Sequence, residues 1–438
     1  MEISLIGFAA LLLLIFARVP LGYAMGIVGV CGFAYVQQVE FGNPRGWDAA
    51  LNMISQVSFE TGLSYSLSVV PLFILMGNFI TEAGLSSQLY RASNAFLGHF
   101  KGGLALATVV SCGAFSAVCG SSMATAATMS KVAMPSMRKY KYSDGLASGS
   151  IAAGGTLGIL IPPSVILVVY GMITETDIGK LFIAGLLPGL IGIIFYMAAV
   201  SVTVNLKPEA GPAGERSSWT ERFVAFRNVW TICLLFLVVM GGIYSGIFTP
   251  TEAAGIGASG AFIIALFRRR LTFKRLVETL VSTVRTTAML FFLVIGAVLF
   301  SNFINLAGLP DSLRDTVLGM DLSPIWVIVA IIAIYVLLGC VLESMSMILL
   351  TVPVFYPLVQ AMGFDLIWFG ILVVVVTEIS LITPPVGLNV FVLKSVLPDV
   401  RLATIFKGVT PFWIADIVRL LLIATVPAIS LILPGMVG

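Results

Sequence analysis

Asn78-Phe79-Ile80-Thr81-Glu82-Ala83-Gly84-Leu85 recurs in the second half of the chain as Asn302-Phe303-Ile304-Asn305-Leu306-Ala307-Gly308-Leu309, with six of the eight residues unchanged. The two copies lie 224 positions apart (302 − 78). Each is followed by a serine-methionine pair and then by two consecutive prolines, and both of these later motifs keep an offset of 222 residues: Ser122 and Ser344, Pro162-Pro163 and Pro384-Pro385. Three motifs at a nearly fixed offset predict an internal duplication.

The composition places the duplicated unit in a lipid bilayer. Of the 438 residues, 59% are hydrophobic and only 10% are charged, whereas soluble proteins have about 25% charged residues. The net charge of +3 is small and the basic residues lie in short clusters. This distribution argues against a nucleic-acid partner and suits membrane topology. The sequence therefore predicts an all-α integral membrane protein.

Each copy contains a predicted re-entrant helical hairpin, at about 102–137 in the first half and 324–362 in the second. Leu104 to Val118 would extend about 22 Å as a helix, which is short of the roughly 30 Å hydrocarbon core. The apolar run is then interrupted by Cys119-Gly120-Ser121-Ser122. Irregular backbone at that depth is tolerated only where protein or a water-filled cavity surrounds it. We therefore expect the two hairpin tips to lie inside the protein.

Each copy also contains a helix that two consecutive prolines break, at 147–172 and at 366–396. Two prolines remove two amide donors and release the carbonyls four residues earlier. The released carbonyls are those of Gly158, Ile159, Ser380 and Leu381. Within a membrane each of them needs a donor or a cation.

A hydrophilic linker at 205–228 divides the predicted N-terminal half, 1–204, from the C-terminal half, 229–438. If the basic clusters at Lys101, at 138–141, in the linker and at 268–275 share one face, the positive-inside rule makes that face cytoplasmic. We then expect both termini on the opposite side. The second copy is inverted relative to the first, because an odd number of spans separates Asn78 from Asn302: 147–172, 181–204, 229–247, 253–267 and 276–304.

Inverted repeats with broken helices predict a transport site near the middle of the membrane. Helix N-termini at Ser122 and Ser344 would face an anion, and released carbonyls and hydroxyls would offer oxygen ligands to Na⁺. Asn389, which replaces Leu167 of the first copy, suits a substrate contact. For the substrate site we select residues of the tips and of the second broken helix: Ser121, Ser122, Thr125, Ser344 and Asn389.

Two acidic residues in apolar surroundings each allow two interpretations of their role. Glu343 either ligates a cation or accepts hydrogen bonds from backbone amides at its tip, and Glu378 either has a functional role or is paired within the protein. Three arginines in apolar stretches, Arg18, Arg285 and Arg419, could neutralise a carboxylate, but we expect them instead to snorkel or to lie at helix ends.

Several motifs together resemble the large membrane subunit of tripartite ATP-independent periplasmic (TRAP) transporters of the dicarboxylate and sialic acid type. They are PLFILMGN at 71–78, GSSMATA at 120–126, GILIPPS at 158–164, LFIAGLLPG at 181–189, PTEAA at 250–254 and TPPVGLN at 383–389. The resemblance implies Na⁺-coupled import of a small organic acid across the bacterial inner membrane by an elevator mechanism. It also implies two partners on separate chains, a small four-helix membrane subunit and a soluble periplasmic substrate-binding protein.

The resemblance also implies two Na⁺ sites. The first involves the tip residues Cys119, Gly120 and Ser122 with Gly158 and Ile161 of the first broken helix. The second involves Gly339, Glu343 and Ser344 with Thr377, Ser380 and Thr383. The family usually has serine where this chain has Cys119, so a backbone carbonyl ligand would survive there and a hydroxyl ligand would not.

Other function classes fit the sequence less well. A divalent-anion/Na⁺ symporter that needs no binding protein would use the same inverted hairpins and ion coupling, and it is the alternative function. An enzyme would need a constellation of catalytic residues, and the chain has a single histidine and no such set. We therefore predict a transporter with no catalytic residues.

Overall fold

The computed structural model describes residues 2–320 and 322–436. The regular secondary structure in this part of the chain is helical, which confirms the all-α fold class. Six of its helices are long and apolar enough to cross a membrane, and a seventh span results if one bent pair of helices is counted as a single crossing.

The first half of the chain forms ten helices. They are α1 (Glu2–Phe16), α2 (Leu21–Tyr35), α3 (Gly46–Leu63), α4 (Val69–Glu82), α5 (Leu85–Leu97), α6 (Gly103–Cys119), α7 (Ser122–Lys139), α8 (Asp144–Thr156), α9 (Val165–Thr174) and α10 (Ile178–Leu206). Helices α6 and α7 are separated only by Gly120 and Ser121. Helices α8 and α9 are separated by a short 3-10 turn and the Pro162-Pro163 pair.

The second half repeats this order with ten further helices. They are α11 (Trp219–Tyr244), α12 (Pro250–Phe267), α13 (Phe273–Leu306), α14 (Leu309–Gly319), α15 (Pro324–Gly339), α16 (Ser344–Ala361), α17 (Leu366–Ser380), α18 (Leu388–Val396), α19 (Leu402–Thr425) and α20 (Ala428–Leu431). Helix α15 is followed by α16 after a four-residue tip, and α17 and α18 flank the second proline pair.

The segment between the halves is shorter than the sequence predicts, because α11 begins at Trp219. The hydroxyl of Ser218 accepts a hydrogen bond of 3.2 Å from the Glu221 amide, and the Glu221 carboxylate accepts one of 2.7 Å from the Ser218 amide. This capping box starts a helix within polar sequence. Helix α19 begins at Leu402 without a side-chain cap.

The first repeat motif has the same backbone geometry in both halves. Gly84 and Gly308 have φ angles of +69° and +71° and precede α5 and α14. A positive φ angle at each turn favours glycine. The amides of Ala83 and Ala307 each donate a hydrogen bond of 2.9 Å, to the carbonyls of Phe79 and Phe303.

Corresponding helices also make corresponding contacts across the two halves. Helix α2 packs on α13, and α12 packs on α4. In the interior, α7 of the first hairpin packs on α18, and α16 of the second hairpin packs on α9. The two halves differ in one respect. Helix α13 is continuous over 34 residues, whereas α3 and the helical segment that contains α4 meet at a bend of 57°.

Two ion pairs fix the base of the first hairpin. Arg138, in the last turn of α7, lies 3.2 Å from Asp144 and 2.5 Å from Asp399. The hydrogen bond from Arg138 lowers the pKa of the exposed Asp399 carboxyl. The pairs join the end of the hairpin to the start of α8 and to the loop before α19.

Candidate transport site

The two hairpin tips converge on one cavity of about 390 Å³. Its walls come from both tips, from the first broken helix and from α4 and α13. The lining residues are Ile74, Gly77, Asn78, Cys119, Gly120, Ser121, Ser122, Met123, Ala124, Ile159, Val165, Ile166, Ser282, Thr286, Leu290, Glu343, Ser344 and Met345. Most of the tip residues selected from the sequence therefore lie at one site.

The first tip is a tight turn held against the first broken helix. Gly120 has a φ angle of +62°, and a Cβ atom there would lie 3.1 Å from the Pro163 carbonyl oxygen. Glycine is therefore required both by the conformation and by the close approach. The hydroxyl of Ser121 accepts a hydrogen bond of 3.4 Å from the Ala124 amide and caps α7. Gly158 packs directly against Ser121 and Ser122.

The second tip is capped by a carboxylate instead of a hydroxyl. Glu343 Oε2 accepts hydrogen bonds from the amides of Met345 (3.1 Å) and Ser346 (3.2 Å). The structure therefore gives Glu343 the backbone-capping role, and the half-buried side chain also lines the cavity. A carboxylate on these amides offsets the positive end of α16. An anion is thus favoured at the N-terminus of α7, where the cap is neutral.

Helix α17 approaches the end of α15 at the residues predicted for the second Na⁺ site. A Cβ atom on Gly339 would overlap the Ser380 side chain, at 2.3 Å from its Oγ. The hydroxyls of Thr377, Ser380 and Thr383 donate hydrogen bonds of 2.8, 2.7 and 2.6 Å to carbonyls of their own segment. These donations leave lone pairs of Thr377 and Ser380 available to a cation, whereas Thr383 Oγ1 also accepts a hydrogen bond of 3.0 Å from Trp413 Nε1.

Three of the four carbonyls released by the prolines have protein donors. The Ile159 carbonyl accepts a hydrogen bond of 2.5 Å from the Ser164 hydroxyl. The carbonyls of Ser380 and Leu381 accept hydrogen bonds from the amides of Thr383 (3.2 Å) and Asn389 (3.1 Å). The need for a cation at these carbonyls is therefore weaker than the sequence suggests.

Eight of the residues named from the sequence do not line this cavity: Thr125, Gly158, Ile161, Gly339, Thr377, Ser380, Thr383 and Asn389. The side chain of Ile161 packs against Gly113 and Gly189. Thr125 and Asn389 are fully buried, and the Asn389 amide donates a hydrogen bond of 3.1 Å to the Ala152 carbonyl of α8. Thr125 Oγ1 and Asn389 Oδ1 have no hydrogen-bond partner among the described residues. Helices α7 and α18, which carry them, are in contact.

Sequence reasoning missed the opposite wall of the cavity. Asn78 on α4 donates a hydrogen bond of 2.9 Å to Thr283 Oγ1 on α13, and Ser282 and Thr286 of α13 line the cavity. Gly77 approaches the first tip so closely that a Cβ atom would lie 2.9 Å from the Val118 carbonyl oxygen. The polar spacing Ser282, Thr283 and Thr286 within an apolar helix was the signal that could have identified this face.

The family assignment rests on almost the whole chain. Residues 8–429 match the model of the DctM component of the tripartite ATP-independent periplasmic transporters. The chain belongs to this family. It is a large permease subunit of a TRAP transporter and a multi-pass membrane protein, which confirms the resemblance drawn from the motifs.

Two relatives and one solved structure illustrate the match. The C4-dicarboxylate TRAP transporter large permease protein DctM of Pseudomonas aeruginosa is 38% identical, over 87% of this chain and 88% of that protein. The isethionate TRAP transporter permease protein DctMQ of Oleidesulfovibrio alaskensis is 33% identical, over 88% of this chain and 60% of that protein. The Alcanivorax borkumensis YdaH transporter superposes with a TM-score of 0.66 at 14% identity, over 88% of this chain and 89% of that chain. At that identity the last match shows the fold alone.

A second cavity of about 400 Å³ in this DctM-family chain suits an anion less well. It lies between α3, α9, α13 and α16 and is lined by the carboxylates of Glu60 and Glu175 together with Asn302 and Asn305. None of its lining residues is basic. The cavity at the hairpin tips has a single carboxylate and two helix N-termini. We therefore take the cavity at the tips as the transport site.

The DctM-family chain also buries an ion cluster behind this site. The guanidinium of Arg419 pairs with the carboxylate of Glu378 and lies 2.8 Å from that of Asp416. All three side chains are fully buried. The prediction that Arg419 snorkels or lies at a helix end is therefore wrong, and Glu378 is paired within the protein. Sequence reasoning missed Asp416, although an acidic residue three positions before an arginine in an apolar helix signals an internal pair.

Proposed function

We propose that this DctM-family subunit imports a small organic acid anion coupled to Na⁺, with the anion bound in the cavity between the two hairpin tips. The observation that carries the proposal is that the N-termini of α7 and α16 open onto the same cavity. Among the described lining residues none is basic and one, Glu343, is acidic. An anion in such a cavity needs positive charge from helix N-termini and bound cations.

The first tip supplies the better anion site. The N-terminus of α7 opens onto the cavity through Ser122 and is capped by the neutral Ser121. Unpaired amides and the helix dipole at such a position attract carboxylate or sulfonate groups. The hydroxyls of Ser121, Ser122 and Ser344 can hydrogen-bond the same groups.

The second tip suits a cation. The Glu343 carboxylate places negative charge at the start of α16. The hydroxyls of Thr377 and Ser380 lie on α17, which packs against α15, and that of Thr383 lies three residues after its end. Na⁺ prefers such hard oxygen ligands. The first Na⁺ would lie where Gly158 approaches the Ser121 and Ser122 backbone. Bound Na⁺ at both places would offset the charge of the anion between them.

An elevator movement is supported by the division of helix contacts. The pairs α2 with α13 and α12 with α4 form a scaffold, and the hairpins pack on the broken helices in a separate interior unit. The cavity lies where the tips meet α4 and α13 of the scaffold. Sliding of the interior unit along this wall would expose the cavity to either side of the membrane.

Two partner chains belong to the proposal. The large permease subunits of this family work with a small membrane subunit, and we propose that such a subunit works beside this chain. A soluble periplasmic binding protein would deliver the substrate. A C4-dicarboxylate, a sialic acid or a related carboxylate or sulfonate fits the hydroxyl-rich wall. In the bacterial inner membrane the basic loops would face the cytoplasm and the termini the periplasm.

The proposal is tested by reconstituting the chain with its small subunit in proteoliposomes, with its cognate binding protein outside, loaded with ligand. We expect uptake only when an inward Na⁺ gradient and the loaded binding protein are both present. Uptake in K⁺ alone would contradict Na⁺ coupling. Uptake of free ligand without the binding protein would favour the divalent-anion/Na⁺ symporter alternative.

A further inference from the structure

A continuous chain of buried polar side chains links the two broken helices. Thr156 Oγ1 at the end of α8 lies 3.0 Å from the Tyr196 hydroxyl. Tyr196 donates a hydrogen bond of 2.5 Å to Asp416, and Asp416 lies 2.8 Å from the Arg419 guanidinium, which pairs with Glu378 at the end of α17. All five residues are fully buried.

The ends of this chain are equivalent positions of the two repeats. Thr156 and Glu378 are 222 residues apart (378 − 156), the offset of the serine and proline motifs. Each lies two residues before a residue that is proposed to ligate Na⁺: Thr156 before Gly158, and Glu378 before Ser380. This series of buried side chains therefore ends just before both helix breaks.

Its middle lies on the two helices that stand behind the breaks. Tyr196 is on α10, and Asp416 and Arg419 are on α19, and these helices pack on each other. The guanidinium is confined, because a Cβ atom on Gly192 of α10 would lie 2.2 Å from Arg419 Nη1. In a low-dielectric interior a paired guanidinium and carboxylate move together, since separating them leaves a buried charge unpaired.

We propose that this five-residue chain positions the two helix breaks relative to each other, so that the Na⁺ affinities of the two tips depend on one shared element. The inference rests on the proposed Na⁺ coupling. Thr156, Tyr196, Asp416, Arg419 and Glu378 are positioning residues that touch neither the cavity nor a cation. Na⁺ at one tip restrains one broken helix, and the five side chains transmit that restraint to the other broken helix.

The sharpest test is Tyr196→Phe, which removes the central hydroxyl and keeps both carboxylates, the guanidinium and the aromatic packing on Phe412. The probe is Na⁺ alone: the melting temperature of the purified full chain is measured while NaCl replaces choline chloride at constant ionic strength. Loss of one buried hydrogen bond should raise the Na⁺ concentration for half of the thermal shift about fivefold. The matched control is Tyr142→Phe, because Tyr142 is also buried and donates a hydrogen bond of 2.9 Å to the Pro212 carbonyl, and neither residue lies on a broken helix.

Coupling is then measured with a double-mutant cycle. Gly158→Ala at the first break and Ser344→Ala at the second tip should change the Na⁺ dependence non-additively in the wild-type background and additively in the Tyr196→Phe background. If Tyr196→Phe does not yield monodisperse protein, Thr156→Val removes the contact between Thr156 Oγ1 and the Tyr196 hydroxyl instead. Its control is Thr108→Val in α6.

The outcomes separate this inference from the proposed function. A wild-type chain that shows no Na⁺-dependent thermal shift overturns both. A wild-type shift that Tyr196→Phe or Thr156→Val alters no more than its control overturns the positioning role alone. A purely structural role would lower the melting temperature equally in NaCl and choline chloride, and that result also overturns the inference.

Discussion

Gly158 packs so closely on the first hairpin tip that an added Cβ atom would lie 3.0 Å from the carbonyl carbon and oxygen of Ser121 and 3.1 Å from the Ser122 amide nitrogen. The broken helix and the tip are therefore in backbone contact, with no side chain between them. This contact holds the α7 N-terminus and the released carbonyls at one place. It also lies at the proposed first Na⁺ site.

Gly158→Ala should push the tip away from the broken helix, because backbone atoms cannot rotate aside. Overpacking of this kind costs about 1 to 3 kcal/mol, so we expect Na⁺-dependent uptake to fall at least about tenfold at low Na⁺. Uptake is measured in proteoliposomes as a function of Na⁺ concentration. The control is Gly255→Ala in α12, where nothing lies within 4 Å of the new atom. Equal uptake by both variants would contradict the assignment.

Glu343 allows its two roles to be separated. Glu343→Gln keeps an acceptor for the amides of Met345 and Ser346 but removes the charge, so it should preserve stability and raise the Na⁺ concentration for half-maximal uptake. Glu343→Leu removes the cap as well and should cost about 1 kcal/mol of stability. Thermal unfolding and Na⁺ titration of the two variants measure these effects. If Glu343→Gln kept the wild-type Na⁺ dependence, Glu343 would act only as a helix cap and its role in cation binding would be contradicted.

Cys119 provides a native thiol in the cavity wall. It is partly exposed and lines the cavity, whereas Cys112 on the same helix is buried. In a chain with the other four cysteines replaced by alanine, a hydrophilic maleimide should label Cys119, and the transported anion together with Na⁺ should slow the labelling. Labelling is followed by mass spectrometry over time. Labelling at the same rate with and without ligand would place the substrate elsewhere.

The serines that start α7 and α16 should tolerate no large apolar side chain. Both Ser122 and Ser344 are buried and line the cavity, so Ser122→Leu and Ser344→Leu should abolish Na⁺-dependent uptake while the protein is still expressed. The control is Ser395→Leu, because Ser395 is exposed in α18 and bonds only the Val392 carbonyl. Retained Na⁺ dependence in either tip variant would refute its role.

The sequence predicted the parts of this structure that local chemistry determines. Proline lacks an amide donor, so the Pro162-Pro163 and Pro384-Pro385 pairs marked the gaps between α8 and α9 and between α17 and α18. Gly120 and the short apolar run before it marked the first tip. Composition and the repeated motifs were enough for an all-α membrane fold and for the family.

Features that depend on contacts between distant residues escaped prediction. The Arg419 partner Glu378 is 41 residues away in sequence, and Tyr196 bonds Asp416 across 220 residues. The cavity wall formed by Asn78, Ser282 and Thr286 depends on how α4 and α13 pack. The helix start at Trp219 was missed because polar residues in a helical first turn resemble a loop.

Uptake by proteoliposomes under an imposed Na⁺ gradient tests the central claim most directly. The wild-type chain with its small subunit and loaded binding protein should accumulate the ligand when Na⁺ is outside. It should lose that accumulation when Na⁺ is equal on both sides or replaced by K⁺. Accumulation at the same rate without a Na⁺ gradient would contradict a site in which cations offset the charge of the anion.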